Sequence, residues 1–354
     1  MSIPIGTREV GDGHPCFVTF EAGATHDGVE MAIKLVEIAA RAGADAVKFQ
    51  IFDADRLVSD RAQTFSYDIL VDRATGETRT VEESLYEILI RRCLTRDEWR
   101  RVKQASDDLK LAFFATVGFE DDIAFVAELG CESIKISSAD VNCFPIIEAA
   151  ARTGTVIQLD TGNAQIGEIE AAIDAMSRAG NEKVIIHQCP SGYPARLPSI
   201  HLRMIPTLKQ VFGLPVAFSD HTPGWEMDVA AVALGANLVE KTITLDRTIH
   251  SPEHIFSLEP QDATAFVQTI RDVELALGSS RRRLSQSELD KRKAIRRSAF
   301  LRVAKRAGEP IGSADIEYRR PGTGLWPSEF VLFNGRAASH DLAAGSMLQV
   351  GDFR

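Results

Sequence analysis

Short runs of β-branched and aromatic residues alternate along this chain with longer stretches whose apolar residues recur three and four positions apart. The short runs are Phe17–Phe20, Ala46–Phe49, Leu111–Ala115, Ser133–Ile136, Val156–Leu159, Val184–Ile186, Pro215–Phe218 and Leu238–Val239. Helical patterns follow nearly every one, for example Met31–Ala42, Asp121–Leu129, Ile166–Arg178 and Met227–Leu234. A run of four or five such residues reads as a strand, and the three-and-four spacing reads as one face of a helix. Eight βα units before Gly278 predict a (β/α)₈ barrel, with a doubly wound open sheet as the alternative arrangement of the same units.

Two regions break the repeat. From Ile51 to Thr80 there is no strong period, and Asp53, Asp55, Asp60, Asp68 and Asp72 fall within it, so a long loop is expected after the second strand. Loops of that length in a barrel serve the active site, or else are insertions without function. The second break is Gly278-Ser279-Ser280, followed by three arginines and a polar stretch. From Ser279 onward there are 15 Lys and Arg against 8 Asp and Glu, a balance of +7 that leaves −17 for the rest. The tail is therefore read as a separate unit: barrel 1–278, connector 279–296, small C-terminal domain 297–354.

Composition narrows the class. With 354 residues, 45% hydrophobic and 25% charged, the chain buries a sizeable core and is neither disordered nor membrane-embedded. No apolar stretch approaches the ~18 residues of a membrane span, and Met1–Gly13 lacks the apolar centre of a signal peptide. Five cysteines, an odd number with no CxxC pair, point to a reducing cytoplasm and away from a structural zinc site. A net charge of −10 argues against nucleic acid as a partner, while leaving room for a small anion in a local basic pocket. Residues 21–28 form a glycine-containing loop without the spacing of a dinucleotide or P-loop fingerprint, so no nucleotide is expected.

In a barrel the chemistry sits where strands end, and polar residues gather there: Glu21, Lys48, Gln50, Thr116, Lys135, Ser138, Asp160, Thr161, Gln188, Ser191, Tyr193, Ser219, Asp220, His221, Glu240 and Lys241. Alternation along Ala-Val-Lys-Phe-Gln puts Lys48 and Gln50 on one face, turned to the barrel interior. An ammonium there requires an anion, either a ligand or an internal carboxylate such as Glu21. Lys135, followed by two serines, repeats the argument, and two interior lysines beside hydroxyls suit a phosphate or a carboxylate. His221 is placed to act as an acid–base group or a metal ligand. Glu21, Asp160, Glu240 and Glu253 are candidate general bases or partners for a hydroxylated substrate.

Several segments taken together resemble the N-acetylneuraminate (sialic acid) synthase family over nearly the whole chain. They are residues 21–28 (EAGATHDG), 43–50 (GADAVKFQ), 134–138 (IKISS), Tyr193-Pro194, 218–222 (FSDHT), 231–236 (AVALGA) and 257–260 (SLEP). The tail segments 296–298 (RRS) and 319–324 (RRPGTG) resemble the small antifreeze-like SAF β-clip domain of that family. The resemblance implies condensation of phosphoenolpyruvate with a sugar aldehyde, in a homodimer whose SAF domains are exchanged so that Arg320 reaches the partner's barrel. It implies phosphoenolpyruvate contacts at Lys48, Thr116, Lys135, Ser138, Ser191, Tyr193 and Ser219. Glu21 falls near the reacting carbons, and Gln50 and Arg320 fall on the sugar.

Departures from the family pattern lie on the sugar side: Thr25 for Asn, Asp140 for Glu, Asp160 for Ser and Glu253 for Asp. The family's divalent metal, Mn²⁺ or Mg²⁺, would be held by two histidines, of which one matches His221 and the other falls on Thr242. A hydroxyl is a poor substitute for imidazole, so the metal recruits a carboxylate such as Glu240, binds weakly or is dispensed with. The expectation is a cytoplasmic barrel synthase making a 2-keto-3-deoxy acid from phosphoenolpyruvate and an aldehyde sugar other than plain N-acetylmannosamine. A non-catalytic or regulatory relative that lost the metal histidine is the alternative.

Overall fold

The computed structural model describes every residue from Met1 to Arg354, and the chain divides into two units, Met1–Gly278 and Ser279–Arg354. The first opens with an antiparallel hairpin of β1 (Ser2–Ile5) and β2 (Arg8–Gly11). Eight parallel strands then close into a barrel: β3 (Phe17–Glu21), β4 (Ala46–Ile51), β7 (Ala112–Val117), β8 (Ser133–Ile136), β9 (Val156–Asp160), β10 (Val184–Gln188), β11 (Val216–Asp220) and β12 (Leu238–Thr242). Closure is direct, because β12 pairs with β3, and this rules out the open sheet. All eight runs expected from the sequence are strands. Most extend a residue or two past the apolar run, because the polar residues at their ends remain in the ladder.

Alternation sorts the side chains of each strand. Phe17, Ala46, Phe114, Val156, Ile185, Ala217 and Leu238 point inward at the N-terminal end and are sealed from below by Ile3, Ile5 and Val10 of the hairpin. Val18, Phe20, Val47, Phe49, Ile134, Ile157, Ile186, Phe218 and Val239 point outward and pack beneath the surrounding helices. Each such side chain, fully buried, contributes about 1.5–3 kcal/mol. The helix Val29–Ala42 illustrates the local logic. Its buried face is Ala32, Leu35, Val36 and Ala39, and it stops at Gly43, whose φ of 84° lets its amide bond back to Ala39 and Ala40 and turns the chain into β4.

The region 51–80 is not the irregular loop expected. It holds a short helix, Ala54–Leu57, and most of an antiparallel hairpin of β5 (Thr64–Asp72) and β6 (Glu77–Ser84). A period of two was present in Phe65, Tyr67 and Ile69, masked by the acidic residues between and around them. Tyr67 and Ile69 bury against Ile88 and Val81. Arg73 of the hairpin turn binds Glu259 at 2.8 and 2.5 Å and Asp246 at 2.6 Å, and Leu70 packs on Ile255 and Phe256. The hairpin thereby clasps the loop that follows β12.

The second unit has its own core of Ala299, Leu301, Ile311, Leu325, Phe330 and Leu348, with strands β13 (Ser298–Leu301) and β14 (Ile316–Arg319) paired antiparallel. More than half of the stretch 279–296 is helical, Gln286–Ile295, started by a capping box between Ser285 and Glu288 and burying no residue. No helix of either unit is long and apolar enough to cross a membrane.

Candidate active site

Above the apolar floor the inward positions turn polar. Lys48 of β4 and Lys135 of β8 are 4% and 1% exposed, and both ammonium groups bind Oε1 of Glu240 on β12, at 2.9 and 2.6 Å. Lys48 also binds Glu21 of β3 at 2.5 Å, and Lys135 binds Asp160 of β9 at 3.0 Å. Burial alone would discharge Lys48, but Glu21 and Glu240 outweigh it and hold its pKa well above the ordinary lysine value. Burial likewise pushes Glu240 up, and Lys135 and Lys48 more than reverse this, so it stays an anion. The two readings of Lys48, anion site and internal ion pair, meet in one cluster: two ammonium groups among the carboxyl groups of Glu21, Asp160 and Glu240.

A directed hydrogen-bond chain supports Lys135 from below. Lys135 donates to Ser219 Oγ at 3.0 Å, and that hydroxyl lies 2.8 Å from His187 Nδ1. His187 Nε2 lies 2.8 Å from Gln158 Oε1, and Gln158 donates to Ser133 at 3.0 Å. With Gln158 Oε1 facing Nε2, that nitrogen carries the proton and Nδ1 accepts from Ser219. Burial, and then Lys135, press the His187 pKa down to about 3, so the imidazole is neutral. His187 was not among the candidates, although alternation along Val184–Gln188 places it inward beside Ile185.

The remaining candidates surround this cluster unevenly. Gln50 donates to Glu21 at 3.4 Å, and Thr116 accepts from Lys48 at 3.5 Å. Gly23 lets the first loop lie against them, since a Cβ there would stand 2.5 Å from the Gln50 amide and 2.6 Å from Glu21 Oε1. Ser138 and Asp140 share a single 3₁₀ turn after β8, and burial raises the Asp140 pKa. Ser191 is exposed and donates toward Gly162 O and Asn163 Oδ1. Tyr193, 43% exposed, lies over His221 with ring centroids 4.5 Å apart. Glu253 is partly buried in the loop after β12, and burial, then Glu21, raise its pKa to about 8. Arg320 is exposed and belongs to the second unit.

Three of the strand-end residues do not face the mouth. Asp220 and Lys241 point outward, where Lys241 binds Asp220 and the Thr222 carbonyl and lies 3.8 Å from Asp228 of the helix Glu226–Ala233. Gln188 points outward and donates to Ile200 O at 2.9 Å. Their parity along the strand is opposite to that of Ser219, Glu240 and His187. Arg92, a buried arginine at the mouth, also escaped the sequence reading because it lies outside the barrel strands. It binds the His26 carbonyl and Ser251 and has no carboxylate in contact.

The donor set does not fit the divalent metal that the sequence resemblance implies. His221, brought to a pKa of about 4 mainly by burial, is a neutral imidazole with Nδ1 3.3 Å from the Pro190 carbonyl. The partnering position on β12 carries the hydroxyl of Thr242. Glu240 has a second oxygen without a hydrogen-bond partner, but two ammonium groups already bind that carboxylate and oppose a dication beside it. No three His, Cys, Asp or Glu side chains converge as a metal site would require.

Residues 35–282 match the NeuB family. The chain belongs to it. The match covers most of the barrel, including both lysines, Glu240 and Glu253. This NeuB chain is 33% identical to N,N'-diacetyllegionaminic acid synthase of Legionella pneumophila, across 97% of its own length and 96% of that protein's. It is 30% identical to pseudaminic acid synthase of Campylobacter jejuni, across 96% of each. Its fold matches the crystal structure of N-acetylneuraminic acid synthetase from Leptospira borgpetersenii with a TM-score of 0.71 and 27% identity, covering 82% of this chain and 95% of that one.

Proposed function

We propose that this chain condenses phosphoenolpyruvate with an aldehyde sugar, giving a nonulosonic 2-keto-3-deoxy acid and phosphate. The observation that carries the reading is the pair Lys48 and Lys135, converging at the C-terminal mouth of the barrel with hydroxyl groups beside them. Two buried cations backed by Thr116 and Ser219, with Ser138, Ser191 and Tyr193 at the rim, supply the donors that a phosphate and a carboxylate need. Glu21, Gln50, Asp140, Asp160 and Glu253 supply the acceptor side. A diacetylated amino hexose suits that side better than N-acetylmannosamine, since the legionaminic relative is named for a product with two N-acetyl groups.

In the reaction C3 of phosphoenolpyruvate attacks the aldehyde carbon, water adds at C2, and phosphate leaves with the bridging oxygen. Lys48 and Lys135 hold the phosphate and carboxylate while negative charge moves onto the departing phosphate. Phosphoenolpyruvate labelled with ¹⁸O in the bridging position tests this chemistry: the label is expected in the phosphate, and its retention in the keto acid contradicts the scheme.

The second unit is proposed to be a SAF β-clip domain exchanged in a cytoplasmic homodimer, with Arg320 lent to the neighbouring barrel. The family membership and the +7 charge from Ser279 onward, against −17 before it, support this. Sedimentation of the full chain tests it, and a monomer at assay concentrations contradicts it.

A further inference from the structure

We propose that Glu253 is the acid that polarises and then protonates the acceptor's carbonyl oxygen in this chain, taking the part for which its donor set provides no metal. The assignment rests on the synthase reading above. Three observations carry it. First, the position that should complete a metal pair with His221 is Thr242, buried at 1% exposure on β12 beside Glu21. Second, Glu253 differs from the three carboxyl groups of the lysine cluster, Glu21, Asp160 and Glu240. Glu21 and Glu240 are each held by Lys48, whereas the Glu253 carboxyl is held by no lysine or arginine. The nearby guanidinium of Arg92 is occupied instead by the His26 carbonyl and Ser251.

Third, the loop that carries Glu253 is anchored beside His221 and Tyr193. The Glu253 carbonyl accepts from Ser257 Oγ at 2.6 Å, and Phe256 lies against both Tyr193 and His221, with ring centroids 6.2 and 5.9 Å away. The clasp of Arg73 on Asp246 and Glu259 brackets the same loop. The charged and titratable groups facing Glu253 are Glu21 of β3, Lys48 of β4, Arg92 after the helix Leu85–Ile90, Tyr193 after β10 and Glu240 of β12. Burial and the Glu21 carboxylate together keep Glu253 protonated at neutral pH, with a pKa of about 8. A neutral carboxyl group is both a hydrogen-bond donor to a carbonyl oxygen and a source of the proton it needs.

The step balances. The C2–C3 π pair of phosphoenolpyruvate forms the new C–C bond, the carbonyl π pair moves to oxygen, and that oxygen takes the Glu253 proton. Water then adds at the cationic C2 and releases a proton, which restores the acid form of Glu253. The C2–O bond to phosphate breaks, its electron pair leaving on the phosphate, while the C2 hydroxyl becomes the keto group and gives its proton to the departing phosphate.

The test is phosphate release by the full-length chain, treated with chelator, supplied with phosphoenolpyruvate and either N-acetylmannosamine or a 2,4-di-N-acetylated trideoxyhexose. The wild type is expected to keep at least about half of its kcat after chelation and to lose kcat as pH rises through about 8, since the acid form is the active one. Glu253→Gln is expected to lower kcat by about 10²–10³-fold, with phosphoenolpyruvate affinity by calorimetry within about threefold of wild type, and Glu253→Asp to recover part of the loss. Chelation that abolishes turnover, with Mn²⁺ restoring it, overturns the assignment while leaving the synthase reading intact. Wild-type kcat in Glu253→Gln overturns it equally. If no acceptor supports turnover even with Mn²⁺ added, the synthase reading fails and takes the assignment with it.

Discussion

Lys48 and Lys135 reach the same carboxylate oxygen, Oε1 of Glu240, from strands separated by β7 in the barrel wall. That shared oxygen holds two ammonium groups close enough for one anion to engage both. It also means that an incoming phosphate competes with a carboxylate already in place.

Replacing either lysine by Met therefore removes half of the anion site and leaves Glu240 less well paired. Phosphoenolpyruvate affinity should fall by at least about 1.5–3 kcal/mol, or roughly 10–150-fold, the range for charged hydrogen bonds. Isothermal calorimetry checks this, and unchanged binding by either variant contradicts it.

The cluster offers two ammonium groups to three carboxyl groups, and Asp160, which stands where the family has Ser, is the extra one. A further anion bound there meets the repulsion of that carboxyl group. Asp160→Ser should tighten phosphoenolpyruvate binding by about tenfold, ~1.4 kcal/mol, measured by calorimetry. Weaker binding by the variant would show that Asp160 holds Lys135 in place more than it competes for it.

Much of this was legible in the sequence. Parallel strands buried on both faces leave compact apolar runs, so all eight were found. Lys48 and Gln50 were assigned to the interior by parity alone. Asp220 and Lys241 stand at strand ends as the site residues do, but their parity sends them outward to Asp228. The β5–β6 hairpin was missed because its Phe65, Tyr67 and Ile69 alternate with polar residues inside an acidic stretch, and its burial against Ile88 is visible only in three dimensions. The convergence of both lysines on Glu240 depends on strand register around the closed barrel, which no local pattern encodes.

Asp228 offers a test away from the mouth. Both of its carboxyl oxygens are buried without a hydrogen bond, and burial, then Asp220, raise its pKa well above the ordinary value. A raised pKa means that the folded chain holds a proton which the unfolded chain gives up above about pH 4, so stability falls as pH rises beyond that point. Asp228→Asn, neutral at every pH, should melt about 2–4 °C higher than wild type at pH 8, the shift given by ~1 kcal/mol in a large domain, and nearly level with it at pH 4. Calorimetric scans at the two pH values check this. A variant less stable at both would contradict it.

Thr242→His rebuilds the missing donor opposite His221. Mn²⁺ or Co²⁺ should then bind at least about tenfold more tightly than to the wild type, by calorimetry with the metal alone, because a second neutral imidazole joins the first. Equal affinity in the two proteins would mean that the two positions do not face one site.

The central claim is that the lysine pair serves carbon–carbon bond formation rather than binding alone. Phosphate release from phosphoenolpyruvate, followed across a panel of amino-sugar aldehydes, tests this most directly. The account predicts no release without an aldehyde, and with the right one a single phosphate for each phosphoenolpyruvate consumed and each keto acid formed. Phosphoenolpyruvate that binds at the lysines yet releases no phosphate with any acceptor would contradict it, and would assign the barrel to binding or regulation.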